Sequence, residues 1–478
     1  MANHEHMALL LSEEWNAWRT RNANVTPDFT DADLSGSDLS GKDLKNADLA
    51  RANLSGASLS GADLSRATFL GTKMTDVSAP GARFEHCRLD YLDLSKVFLA
   101  GARFASASLQ ACSLAGANLA GADLSRARLD GSDLSDTNLA GAILSDVSFR
   151  GVKTTGTHFD GADLTRCSFE GVVLVGGSFP NARFEGANLK SADLTGADLR
   201  RAKFNGASLR QAILNGANCE GADFSEADLE LASAIESDFS GSCLDRAKLR
   251  KAELSRASFL DASGRDVSFA DAKLTEVDLR VTRFEGANFQ SANLSKAILT
   301  HMNLKSHSFA AARFANADVS EANAEGVNFS RADLSLGNFR MANLKRADLS
   351  GCRALDADLS GTLLIGANFR DASLQDADLR FARAIGGDFT GANLAGADLA
   401  NADFSEALFK KAKVWGITAR RAKAPRGLNF LFSISTVFSK AKQKQSKATD
   451  LKEEARRKRI AALEAEADRK PPHLTGKR

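Results

Sequence analysis

The sequence predicts an all-β solenoid, and three observations lead there. A large apolar residue recurs at every fifth position, a small residue stands two places before it, and phenylalanines at the large position favour a spacing of twenty. A chain of 478 residues would ordinarily suggest about three globular domains. The strong bias to Gly, Ala, Ser, Asp, Asn and Leu, with Tyr91 as the single tyrosine, points instead to an internal repeat.

The five-residue period is explicit. Leu34, Leu39, Leu44, Leu49, Leu54, Leu59 and Leu64 follow in strict succession, and the register holds without insertion to Phe404, Phe409 and Val414. Roughly 67 of about 78 such positions are Leu or Phe, which selects one buried position per repeat. Ala32, Ala47, Ala52, Ala57 and Ala62 occupy the small position. In extended backbone, residues two apart face the same way, so Ala32 and Leu34 point inward and Asp33 outward. Ser35 and Gly36 then supply turn chemistry. Each repeat is a short extended stroke followed by a corner, and strokes turning one way wind a coil that stacks at about 4.8 Å.

Phenylalanine sets the number of strokes per coil. About 24 large positions are Phe, and about eleven Phe pairs lie twenty apart where chance gives about seven, so rings stack when four strokes close a coil. Phe269, Phe289, Phe309 and Phe329, then Phe369, Phe389 and Phe409, make one column; Phe184, Phe204 and Phe224 make another. The column through Leu34 holds one Phe, Phe314, so the faces are not equivalent.

Departures from the pattern are few. Ala79, Thr154, Ala234, Gly264, Ala324, Ala354 and Ala384 are undersized at the large position, each leaving a small void or local groove. Met302 and His307 replace the small residue beside His301, which reads as a distorted coil, with a metal or ligand site as the sharper alternative. Cys87, Cys112, Cys167 and Cys352 at the small position and Cys219 at the large one read as buried packing groups.

The ends differ from the body. Residues 1–27 carry an amphipathic helix or cap, with Met7, Leu10, Leu11, Trp15 and Trp18 at helical spacing and Pro27 as the break. Residues 28–414 form the repeat body of about 19 coils, on the order of 90 Å long. Trp415 and Ile417 close the last coil, and residues 415–438 make an apolar cap or docking segment. Residues 439–478 are a basic linker and a charged helix, Asp450 and Glu453 standing at capping spacing. Residues 29–414 sum to about −7 and 415–478 to about +11, so charge is segregated to the tail.

The run ADLSGSDLSGKDLKNADLARANLSGASLSGADL, starting at Ala32, resembles the pentapeptide-repeat family with its A(D/N)LXX motif. The resemblance implies a right-handed quadrilateral β-helix with four repeats per coil. The Trp-Asn-Ala-Trp-Arg segment from Trp15 is similar to the leader of some bacterial members.

No Walker loop, HExxH, GxSxG or GxGxxG in a βαβ context is present, so the chain is expected not to be an enzyme. No catalytic, cofactor-binding or metal-ligating residue is assigned, and no cofactor or small-molecule substrate is expected. No apolar run reaches the roughly 20 residues that span a bilayer, and no classical signal peptide is read. Absence of CxxC pairing fits a reducing cytoplasm. Two outward columns stand out: Asp238, Asp278, Asp318, Asp358, Asp378 and Asp398, with Arg280, Arg340 and Arg380 nearby, and on a neighbouring wall Arg83, Arg103, Arg183, Lys203, Arg283 and Arg383. The expected function is a non-catalytic interaction protein whose rigid surface binds an unidentified protein. The alternatives are a topoisomerase-binding DNA mimic, which the resemblance implies for some members, and a secreted or membrane-associated effector. The effector's tail, 415–478, would contact an anionic membrane, or less readily nucleic acid.

Overall fold

The computed structural model describes residues 3–425. The stroke at Ala52–Gly56 shows why the repeat folds as it does, because all five of its amides find acceptors. Ala52 N donates to Leu49 O at 3.0 Å and closes a corner, Asn53 N to Ala32 O one coil before at 2.8 Å, and Leu54 N to Lys73 O one coil after at 2.9 Å. Gly56 N donates to Thr75 O at 2.9 Å, also one coil after. The fifth amide, Ser55 N, donates to the Asn53 side chain at 3.2 Å. A buried or half-buried amide must be paired, and an Asp or Asn two residues earlier does it locally as an Asx turn. The outward Asp/Asn of the motif is thus a structural residue first.

Each corner has its second central residue in the left-handed region, as in a type II turn. Asp31 (φ 60°), Gly36 (φ 65°), Gly41 (φ 63°) and Asn46 (φ 57°) begin a series running to Arg421 (φ 59°), with Val281 and Ser306 as the exceptions. The outward residues pair in parallel with a partner twenty residues on, from Asp28 with Asp48 to Asp403 with Lys423. Twenty residues per coil and a corner every five give the four-sided coil expected from the phenylalanine spacing. Continuous strand is marked only at β1 (Ser263–Arg265) and β2 (Arg283–Glu285) among the described residues, because each stroke is too short to register as more than a bridge.

The described residues fall into two compact units, Met1–Leu249 with Ala262–Gly264, and Arg250–Asp261 with Arg265 onward. The sequence reading drew a single body over 28–414. A solenoid coil touches only its neighbours, so compactness does not extend along a long array. In the first unit Phe184, Phe204 and Phe224 stack face to face at 4.7 and 4.8 Å. In the second, Phe269, Phe289, Phe309 and Phe329 stack at 4.9, 5.0 and 5.4 Å. Phe369, Phe389 and Phe409 stack at 4.9 and 5.0 Å. Phe314 meets this wall edge-on, 5.3 Å from Phe309.

Two edges of the repeat differ from expectation. Residues 1–27 are expected to carry one amphipathic helix or cap; the structure has two short helices there, α1 (His4–Leu10) and α2 (Trp15–Arg21). Ser12 Oγ donates to Leu9 O at 2.8 Å and accepts from Glu14 N, which diverts the backbone between the helices. Leu11 is consequently exposed, while Leu10 and Trp15 are fully buried. At the other edge, parallel bridges continue past 414 to Thr418 and Lys423. There the sizes reverse, with Ile417 and Ala419 both buried. Trp415 does not close the coil: it is 71% exposed. The expectations for 428–438 and 439–478 lie outside the described residues.

Candidate interaction surface

The large and small positions are filled by Leu, Phe and Ala side chains that are almost all buried. The undersized residues Ala79, Ala234, Ala324, Ala354 and Ala384 are buried as well. Thr154 Oγ1 donates to Val173 O at 3.1 Å, and the usual parallel bridge between Lys153 and Val173 is missing. Several hydroxyls and thiols at the small position donate back to a carbonyl 23 residues earlier, whereas Thr282 and Thr362 donate to the carbonyl three residues earlier. Thr72 donates to Leu49 O at 2.8 Å, Cys87 to Leu64 O at 3.0 Å and Thr157 to Leu134 O at 2.7 Å.

The cysteines expected to be packing groups are buried and free. Burial pushes the Cys87 and Cys167 thiols up to about 12 and Cys112 to about 11, and raises Cys219 and Cys352 further. Thiols so held are neutral and unreactive. Cys243, by contrast, stands outward and half-buried, 3.3 Å from Ser225 Oγ.

The irregular trio does not converge. His301 is exposed and lies 3.4 Å from Glu321. Met302 and His307 point inward and are buried. Both ring nitrogens of His307 lack a hydrogen-bond partner, and its ring lies 5.9 Å from Phe289 and 6.2 Å from Phe309. Burial alone lowers its pKa to about 4, so it is neutral at pH 7. The preceding corner, Ser306, is one of the two without positive φ, which fits a coil bent around large side chains. Among the described residues no group of three or more metal-ligating side chains comes together.

That leaves the outer walls. In the acidic column, Asp238 of the first unit and Asp318, Asp358 and Asp398 of the second accept the corner amides of Ser240, Ser320, Ser360 and Ala400. Asp278 and Asp378 also take up Arg280 and Arg380, at 2.6 and 2.5 Å. Arg280 holds the Asp278 carboxyl below its ordinary range, and Asp378 raises Arg380. In the basic column, Arg83 pairs with Asp63 and Glu85, Arg183 with Asp163 and Glu185, and Arg283 with Asp261. Each column thus carries ion pairs at some of its steps, their cationic partners about half or more exposed, where solvent and salt screen them.

The sequence reading did not find the apolar groups on the corners. Tyr91 is 77% exposed, Phe381 61% and Met341 56%, each in left-handed backbone. The signal was present: a bulky residue where glycine is the conformationally free choice.

Family models match this repeat closely. One, described as pentapeptide repeats (8 copies), matches residues 28–66, 167–206, 202–241, 242–280, 278–305, 312–351, 355–391 and 388–423, together more than half of the chain. The chain belongs to the pentapeptide-repeat family. A second model, the pentapeptide repeat region, matches 102–179. Among solved structures, this pentapeptide-repeat protein is similar to HetL from the cyanobacterium Nostoc, a protein involved in heterocyst differentiation regulation. Identity is 30%, covering 50% of this chain and 90% of that one, with a TM-score of 0.21. Trypsin-treated QnrB1, a plasmid-mediated fluoroquinolone resistance protein, is 20% identical over 41% of this chain and 86% of its own, with a TM-score of 0.23. A further Nostoc pentapeptide repeat protein is 31% identical over 22% and 74%, with a TM-score of 0.17. Comparison with curated proteins gives no match.

Proposed function

We propose that this pentapeptide-repeat protein is a non-catalytic interaction protein, whose right-handed four-sided coils act as a rigid surface for docking another protein. One observation carries the reading. Among the described residues of the coil, the backbone and the interior are taken up in building it, so side chains available to a partner stand on the outer walls and corners. No helix among the described residues is long and apolar enough to cross a membrane. A cytoplasmic location is part of the proposal, and the free, mostly buried thiols are compatible with a reducing compartment. Affinity capture and cross-linking in the native host test the reading. Specific partners retained by full-length bait support it; loss of every partner with correctly folded bait removes it.

DNA mimicry is the less favoured reading, since a mimic needs continuous negative charge and Arg280 and Arg380 interrupt the acidic column. A supercoiling assay with DNA gyrase decides this: inhibition at micromolar protein would reinstate the mimic, and no effect would dismiss it.

A further inference from the structure

The last described coil ends in an edge that its own backbone does not close. One coil earlier, on the wall at 392–396, Leu394 N donates to Lys413 O at 2.8 Å and Gly396 N to Trp415 O at 3.1 Å, and Ala392 O accepts from Lys413 N at 2.8 Å. The counterparts on the final wall, Val414 N, Gly416 N and Ala412 O, have no partner among the described residues. Burial follows the same break. Ala392 and Leu394 are fully buried, whereas Ala412 and Val414 are only half-buried. Two donors and one acceptor at strand spacing, beside half-covered apolar groups, make an open β-edge. The first edge differs, since Trp15 Nε1 of α2 occupies the Asp43 carbonyl there at 2.8 Å. Head-to-tail stacking of copies onto the last edge is thereby blocked.

The sequence after Pro425 supplies a match for this edge. Phe432 and Ile434 alternate with Ser433 and Ser435, so in extended backbone the apolar pair faces one way and the hydroxyls the other. Phe432 stands twenty residues after Ala412 and Ile434 twenty after Val414, which is the spacing of the parallel bridges throughout the coil. Phe432 follows Pro425 by seven residues, as Ala412 follows Ser405, so the chain need travel no further than in any earlier coil. A segment tethered this closely has an effective concentration on the order of millimolar, above that of a second copy at micromolar protein. A bilayer offers the Val414 and Gly416 amides no acceptor, whereas an extended backbone does.

We propose that the chain's own residues 428–438 close the last edge by adding a parallel strand to the wall at 412–416. The carbonyls of Ser433 and Ser435 accept the Val414 and Gly416 amides, and Ser433 N donates to Ala412 O. Phe432 and Ile434 cover Ala412 and Val414. The main chain supplies the pairing and the alternating side chains its register. The apolar run of the tail is then a cap, used up within the chain and not a docking segment for a membrane or another protein. This goes beyond protein docking on the walls and fails or holds separately from it.

Hydrogen exchange of the full chain at micromolar concentration, resolved to single amides, tests the cap. Val414 and Gly416 should exchange about tenfold more slowly than in the Phe432→Ser/Ile434→Ser variant, while Leu394 and Gly396 exchange alike in both. Equal exchange at Val414 and Gly416 in the two proteins overturns the proposal. Protection that grows with protein concentration also overturns it and assigns the edge to a second copy. Protection that needs phosphatidylserine vesicles overturns it in favour of a membrane. A second measurement reads the register. In a Cys243→Ser background, Lys413→Cys/Ser433→Cys should form an intramolecular disulfide on mild oxidation, because paired strand positions lie within disulfide reach. The control Lys413→Cys/Ser446→Cys should oxidise about tenfold more slowly. Equal rates for the two pairs, or a disulfide-linked dimer from the first, would sink the cap. Partner capture bears only on docking at the walls, so its failure leaves both measurements unchanged.

Discussion

At the residue scale, left-handed corners make stability depend on side chains that touch nothing. Gly121 has φ +65° with no atom within 4 Å of an added Cβ, so Gly121→Ala should cost about 1 kcal/mol from conformation alone. The reciprocal change, Ala111→Gly at φ 54°, should stabilise by a similar or smaller amount. Denaturant midpoints of the two variants, measured together, check the pair. His307 makes a different prediction. Its folded pKa of about 4 lies below the ordinary 6.5, so between those values the unfolded chain binds the extra proton. Stability should therefore fall as pH drops from 6.5 towards 4, by about 3 kcal/mol in all. His307→Leu should remove that part of the slope, read as the difference between the two stability–pH curves.

At the scale of the stroke, motif residues that look like surface polarity hold the backbone. Asp398 accepts the Ala400 amide at 3.0 Å, and Asn accepts equally well. Asp398→Asn should therefore be nearly neutral, while Asp398→Ala should cost about 1 kcal/mol in a thermal or denaturant melt. Phe204 lies between Phe184 and Phe224 at 4.7 and 4.8 Å. Phe204→Ala should cost about 3–5 kcal/mol, because stacked coils cannot collapse into the space. The period of five and the coil of twenty were legible in the sequence because each buried side chain repeats the same environment. Val281 and Ser306, the two corners without positive φ, were not, since a departure made once leaves no periodic signal.

At the scale of the whole molecule, the open edge of the first coil is the issue. In later coils the carbonyl equivalent to Asp43 O accepts an amide from the coil before, as Asp63 O does from Leu44 N. The first coil has none before it. Trp15 Nε1 donates to Asp43 O at 2.8 Å, Arg19 Nη2 to Lys45 O at 3.0 Å, and Asn16 Oδ1 accepts Asp43 N at 2.8 Å. Side chains of α2 thus stand in for a missing coil, with Trp15 also packed 5.7 Å from Phe29. Unpaired strand edges invite self-association. Removing residues 1–22 should raise light scattering and the apparent mass at micromolar concentration, and Trp15→Ala should do so in part; an unchanged monomer–oligomer distribution would argue against this role.

The sequence alone determined the coil: its period, its four sides, its buried Leu and Phe columns and its family, because a repeated contact writes a repeated residue. Only the tertiary structure decided how the first edge is closed, that Trp15 is buried while Trp415 is exposed, and that the amides of Val414 and Gly416 are left open at the last described coil. Those features arise once, from residues far apart in the chain meeting across coils, and a contact made once leaves no periodicity to read.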